Sequence, residues 1–184
     1  MSADRRPRDL ALLDALDAKP RETFDGVVWR ALREGRDPLQ GHPSAGRWDP
    51  GTFDVIYASL DRDGAHAELH FHLTRQPVFP SRMRFLLHRI RVRTRQSLRL
   101  PDMNSLDELG VEAAHYRDLL YSRTQEIGDA AAFLGFDSLI VPSARWQCLN
   151  IVLFTDRFAP ADLTVETEEP VDWDAWRKAQ PRRL

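Results

Sequence analysis

A chain of 184 residues, 42% hydrophobic and 29% charged, is long enough to bury one sizeable core and has the make-up of a globular domain. Its formal net charge of -2 argues against a dedicated nucleic-acid binder, which would be clearly basic. A single cysteine, Cys148, excludes an intrachain disulfide framework and suits a reducing cytoplasm, and without an apolar run of about 18 residues nothing is expected to span a membrane.

The first residues are basic, with Arg5, Arg6 and Arg8. Leu10–Leu16 is broken by Asp14 and followed by Asp17, so no secretory signal is expected. Residues 8–17 read as a short helix with Leu10, Leu12, Leu13 and Leu16 at helical spacing, within an N-terminal extension over 1–23. Phe24–Leu32 reads as a strand. A loop follows, punctuated by Gly35, Pro38, Gly41, Pro43, Gly46, Pro50 and Gly51. It is too long for a hairpin, and long ordered loops often carry function.

Asp54–Leu60 reads as a strand, and Asp61 as the N-cap of a helix from Arg62 to Leu73. In Phe85–Leu100, Ile90, Val92 and Thr94 face one way and Arg91, Arg93 and Arg95 the other, a half-buried strand with a solvated polar face. Ser105–Leu109 and Ala113–Tyr121 are helix candidates, and Thr124–Leu134 is a helix closed by Gly135. Ser138–Val141 and Asn150–Thr155 read as strands. The tail, 157–184, is acidic at Glu166–Glu169 and then forms a short helix over Asp172–Lys178, with Trp173 and Trp176 on one side. Strands in mixed order, without a strict βαβ rhythm, predict an α+β domain with a mixed, largely antiparallel sheet and flanking helices.

Two features invite chemistry. His66, His70 and His72 lie close together, but His-Ala-Glu-Leu-His lacks the glutamate directly after the first histidine and no further ligand is evident, so no metal site is expected. Cys148 precedes an apolar strand and reads as a buried, inert thiol.

A set of short blocks in order is more informative. Val27-Val28-Trp29-Arg30 is followed by Gly46-Arg47-Trp48, Pro50-Gly51, Val55-Ile56-Tyr57-Ala58-Ser59 and Ala67-Glu68. Far downstream come Val141-Pro142-Ser143-Ala144-Arg145 and Asn150-Ile151-Val152-Leu153-Phe154. Taken singly, a strand arginine is ordinarily a surface ion-pair partner, a helix glutamate is solvated, a strand tyrosine packs in a core and a serine after proline turns the chain. In combination the blocks resemble the RES domain over about residues 24–156, with its name-giving arginine, glutamate and serine at Arg30, Glu68 and Ser143. One departure is Asp49, where the family pattern often has asparagine.

The resemblance implies a fold similar to ADP-ribosyltransferases and cleavage of NAD at the nicotinamide–ribose bond. NAD would be a consumed substrate, with no other cofactor. It further implies a cytoplasmic toxin of a type II toxin–antitoxin pair, with an Xre-type antitoxin as partner, DNA reached only through that antitoxin, and a possible homodimer. The acceptor stays open between water, phosphate and a protein, and a catalytically weak binding module is the alternative from another class. The residue types fit the chemistry. Arginines such as Arg30 and Arg47 grip phosphates through a planar fork. A carboxylate, Glu68, stabilises the cation that develops on the ribose. Tyr57 offers a flat face to nicotinamide, and Ser143 and Asn150 offer orienting hydrogen bonds.

Overall fold

The computed structural model of the chain describes residues 7–180, so Arg5 and Arg6 of the basic start lie outside it. Among the described residues, strands β1 (Glu22–Arg33), β2 (Val55–Ser59), β3 (Phe85–Arg99), β4 (Ser138–Pro142), β5 (Leu149–Phe154) and β6 (Leu163–Pro170) form one sheet in the order β1-β2-β5-β4-β3-β6. β1 also pairs antiparallel with β3, from Glu22↔Ser97 to Arg33↔Phe85, and this closes five of the strands into a barrel. β3 and β4 run parallel and the other pairs antiparallel. Helices α1 (Leu10–Asp17), α2 (Arg62–Thr74), α3 (Met103–Asp107), α4 (Ser122–Phe133) and α5 (Trp173–Ala179) flank it, so the chain is a single mixed α+β domain.

Strand alternation makes two cores from one sheet. Val28, Ile56, Ala58, Ile90, Val92, Ile140, Ile151 and Leu153 fill the barrel interior. The other face of the same strands, through Val55, Leu139, Val152 and Phe154, packs with Leu12 and Leu16 of α1 and Ile127 of α4. Each such side chain, fully buried, contributes about 1.5–3 kcal/mol before the entropy of ordering is set against it. The weak seam is between β1 and β2, joined at Trp29↔Ser59 alone. α2 packs across both strands there.

Two expectations change. Ala113–Tyr121 is a single 3-10 turn at Ala113–His115, then an irregular run. Tertiary contacts override helix propensity: buried Tyr116 donates to the Pro142 carbonyl at 2.6 Å, and the Arg47 guanidinium lies 4.7 Å from the centroids of both Tyr116 and Tyr121. The acidic stretch Glu166–Glu169 lies within strand β6, not a bare tail, because it meets the arginine face of β3. Glu166 pairs with Arg89 and Arg91, and Glu169 with Arg62 of α2. The outer arginines of β3 are therefore ion-paired, Arg93 with Asp25 and Arg95 with Asp162. The expected N-terminal helix is present as α1, which buries Leu12 and Leu16 and exposes Leu10. Among the described residues no helix is long and apolar enough to cross a membrane.

Candidate active site

Where the barrel wall is weakest, a cavity of about 560 Å³ opens, a volume typical of small-molecule sites. β1 and β2 supply one wall through Trp29, Arg30 and Tyr57, and α2 supplies another through Glu68 and His72. α2 starts cleanly: the Asp61 side chain accepts from the amides of Asp63 and Gly64. Gly64 lets that first turn sit against the end of β2, since a Cβ there would lie 2.3 Å from Ser59 Oγ and 2.6 Å from Cys148 Sγ.

Glu68 is the focus. Its Oε1 accepts from Ser143 Oγ at 2.7 Å and from Asn150 Nδ2 at 2.8 Å. Ser143 follows β4 and Asn150 lies on β5, so antiparallel neighbours deliver both donors to one oxygen. The Ser143 hydroxyl in turn accepts from the amides of Arg145 and Trp146, both at 3.1 Å. One hydroxyl thus couples the carboxylate to the turn that carries Arg145. Donation from Nδ2 fixes the Asn150 amide and leaves its buried Oδ1 without a partner. The sequence-predicted trio Glu68, Ser143 and Asn150 is brought into direct contact.

Arg30 is placed differently from the other cavity residues. It is 6% exposed, and its Nη1 donates to the carbonyls of Pro38 at 2.6 Å and Gln40 at 3.2 Å. Burial brings its pKa down to about 10. It borders the cavity, but one edge of its guanidinium anchors the long loop. Arg47 is wedged between Tyr116 and Tyr121 and donates to the Asp118 carbonyl at 3.2 Å.

Tyr57 lines the cavity with its hydroxyl already engaged, accepting from the Trp48 amide at 2.8 Å and donating to Asp49 at 2.9 Å. Burial, and the adjacent Asp49 charge, push its pKa well up. Asp49 itself is fully buried and gathers the glycine-rich loop. Its Oδ1 accepts from the amides of Ser44, Ala45 and Gly51 at 3.1, 2.9 and 3.0 Å. Its Oδ2 accepts from the Ser44 hydroxyl, the Gly46 amide and Tyr57 at 2.6, 3.1 and 2.9 Å. Burial pushes the carboxyl pKa up, but these donors outweigh burial and hold it below the usual value.

Two residues were missed from sequence. Asp49 stood out only as a departure in Gly46-Arg47-Trp48-Asp49-Pro50-Gly51, although a short acceptor amid turn residues is the signal of such a hub. Arg145 was quoted in a block and given no role. Its guanidinium lies 3.4 Å from the Phe71 ring centroid at the cavity wall. Burial and the Arg47 charge lower its pKa, and Glu68 acts the other way.

Of the three histidines of α2, His72 lines the cavity, and His66 and His70 pack against α5. His66 stacks on Trp176 with centroids 5.8 Å apart, and His70 lies 5.6 Å from Trp173 and 5.3 Å from Trp176, so α5 straps α2. Among the described residues no group of three or more His, Cys, Asp or Glu is placed to hold a metal ion. Cys148 is half-buried, 3.3 Å from Ser59 Oγ, and burial raises its pKa.

A small α+β barrel whose cavity is lined by arginines and by the tethered Glu68 carboxylate has the form of a small-molecule site. The chain belongs to the RES domain family, whose model matches residues 27–174. It is 32% identical over 153 residues to a protein of Mycobacterium tuberculosis described as a probable NAD(+) phosphorylase, covering 79% of this chain and 72% of the relative. Its fold matches a chain in the crystal structure of the M. tuberculosis MbcT–MbcA toxin–antitoxin complex with a TM-score of 0.82 at 22% identity, over 92% of this chain and 97% of that one.

Proposed function

We propose that this chain cleaves NAD at the nicotinamide–ribose bond and passes the ADP-ribosyl group to a small acceptor, by hydrolysis or phosphorolysis. The observation that carries this reading is the Glu68 carboxylate, held by Ser143 and Asn150 beside a cavity lined with arginines. Breaking the glycosidic bond builds positive charge on the ribose, and a fixed carboxylate stabilises it without reorganising. Ser143 and Asn150 occupy Oε1, which leaves Oε2 for the sugar. Arg47 and the free edge of Arg30 take the pyrophosphate. The Tyr57 ring, fixed by its engaged hydroxyl, packs against nicotinamide. NAD is consumed, and no further cofactor is needed.

The RES family membership and the relative named as a probable NAD(+) phosphorylase support this chemistry. The likeness to a toxin–antitoxin complex supports a toxin role, with NAD depletion as the harm and an antitoxin as partner. To the same reading belong an Xre-type antitoxin that alone contacts DNA, a cytoplasmic location, a homodimer and a kinship of the barrel with ADP-ribosyltransferases. We assign the NAD-processing unit to residues 24–156, with 1–23 and 157–184 as supporting extensions. Expression in a bacterium should stop growth and lower NAD before other metabolites. Normal NAD under full arrest would overturn depletion and favour modification of a protein.

A further inference from the structure

We propose that Arg145 is the residue that holds an inorganic phosphate acceptor beside Glu68, and so directs the ADP-ribosyl group to phosphate in place of water. This rests on the NAD-cleaving reading above. A carboxylate that stabilises the ribosyl cation also repels an anionic nucleophile approaching the same carbon. Water meets no such barrier. A site that uses phosphate therefore needs a cation fixed close to the carboxylate and not spent on other partners.

Arg145 meets that requirement better than the other arginines of the cavity. Four arginines, Arg30, Arg47, Arg75 and Arg145, line it with one glutamate. That is more positive charge than the paired charges of a dinucleotide's pyrophosphate need. Arg30 is turned to the Pro38 and Gln40 carbonyls, and Arg47 is clamped between two tyrosines. Arg75 is the C-cap of α2, two turns beyond Glu68. Arg145 instead sits on the turn that Ser143 ties to Glu68. Its flat face rests on Phe71 and the Tyr121 hydroxyl lies beside it, but among the described residues the guanidinium pairs with no carboxylate, so its remaining N–H groups can take a phosphate.

The step balances without a further reactant. An oxygen of the phosphate dianion places a lone pair on the anomeric carbon as the carbon–nitrogen bond breaks. Nicotinamide leaves neutral with that bond's electron pair. The proton already on the phosphate stays until solvent removes it. The product is an ADP-ribosyl phosphate.

The test uses the full chain with saturating NAD and a titration of inorganic phosphate, with nicotinamide, ADP-ribose and ADP-ribosyl phosphate separated by chromatography. The parent should speed up with phosphate and yield mainly the phosphorylated product. Arg145→Gln should raise the KM for phosphate by about 10- to 100-fold, the weight of a charge-assisted contact, and leave the KM for NAD unchanged. Product should shift towards ADP-ribose. Arg145→Lys should recover part of the phosphate dependence, and it carries the test if the glutamine variant fails to fold. An unchanged phosphate KM in folded Arg145→Gln would overturn the proposal. So would a parallel rise in the NAD KM, which would make Arg145 a ligand of the dinucleotide. A parent that yields ADP-ribose at a rate indifferent to phosphate overturns the Arg145 assignment alone. A parent that releases no nicotinamide overturns the NAD-cleaving reading with it.

Discussion

Replacing Asp49 by asparagine changes one atom at the centre of the loop that frames the cavity. Kept in its present orientation, the side chain retains Oδ1 and the amides of Ser44, Ala45 and Gly51 stay satisfied. The opposite orientation would turn a donor on all three. In the retained one, Nδ2 replaces the oxygen that accepts from Ser44 Oγ, Gly46 N–H and Tyr57. The hydroxyls can rotate to accept, but the Gly46 amide cannot, and it is left facing a donor. An orphaned buried N–H costs about 1–3 kcal/mol. For a chain of this size each kcal/mol is worth roughly 2–4 °C, so Asp49→Asn should melt about 2–12 °C below the parent. The assay is thermal unfolding backed by a denaturant titration, in which the midpoint should move at constant slope. An asparagine variant that melts with the parent would refute the claim that the second carboxylate oxygen organises the loop. Asp49→Ala, which orphans every donor, should lose more.

Gly128→Ala should destabilise the chain by at least about 1–3 kcal/mol, because overpacking is costly and the added Cβ would sit 1.8 Å from the Trp48 carbonyl oxygen; a melt matching the parent would show that α4 does not press on the loop. Acid should loosen the strap of α5 on α2. Burial lowers the pKa values of His66 and His70 below the usual 6.5, so this stability is complete above 6.5 and is lost as pH falls through the lowered folded values. Melting temperature should fall from about pH 7 to about pH 5, and a His66→Phe/His70→Phe variant should show a shallower fall. Arg30→Lys should lower stability as well as activity, since the shorter-reaching ammonium must replace the Nη1 that meets both the Pro38 and Gln40 carbonyls; unchanged melting with lost activity would place Arg30 wholly on the ligand.

Much of the fold was legible where local signals and tertiary contacts agree. Asp61 caps α2 and Gly135 ends α4 with a positive φ, as their residue types predict. Alternation in β3 places Ile90, Val92 and Thr94 inside. Closure of the sheet was not legible, because it depends on β1 finding β3 some sixty residues on. β6 was missed because glutamates are poor strand formers, and only the facing arginines of β3 make that strand favourable. In the site, the ordered blocks picked out Glu68, Ser143 and Asn150, which are in contact. They did not reveal that Arg30 and Tyr57 each spend polar atoms on the long loop, since those partners are carbonyls and an aspartate whose positions the chain fixes only on folding.

The most direct test of the central claim compares nicotinamide release by the parent and by Glu68→Gln on the same NAD solution. Glutamine keeps an oxygen for Ser143 and Asn150 but has no charge to set against the ribosyl cation. Loss of one such stabiliser costs about 2.7–4 kcal/mol, roughly 10²–10³ in rate. The account predicts that the parent releases one nicotinamide for each NAD consumed, that the variant's turnover falls by that factor, and that calorimetry finds NAD affinity nearly unchanged. Nicotinamide release by a folded Glu68→Gln protein at the parent's rate would contradict it.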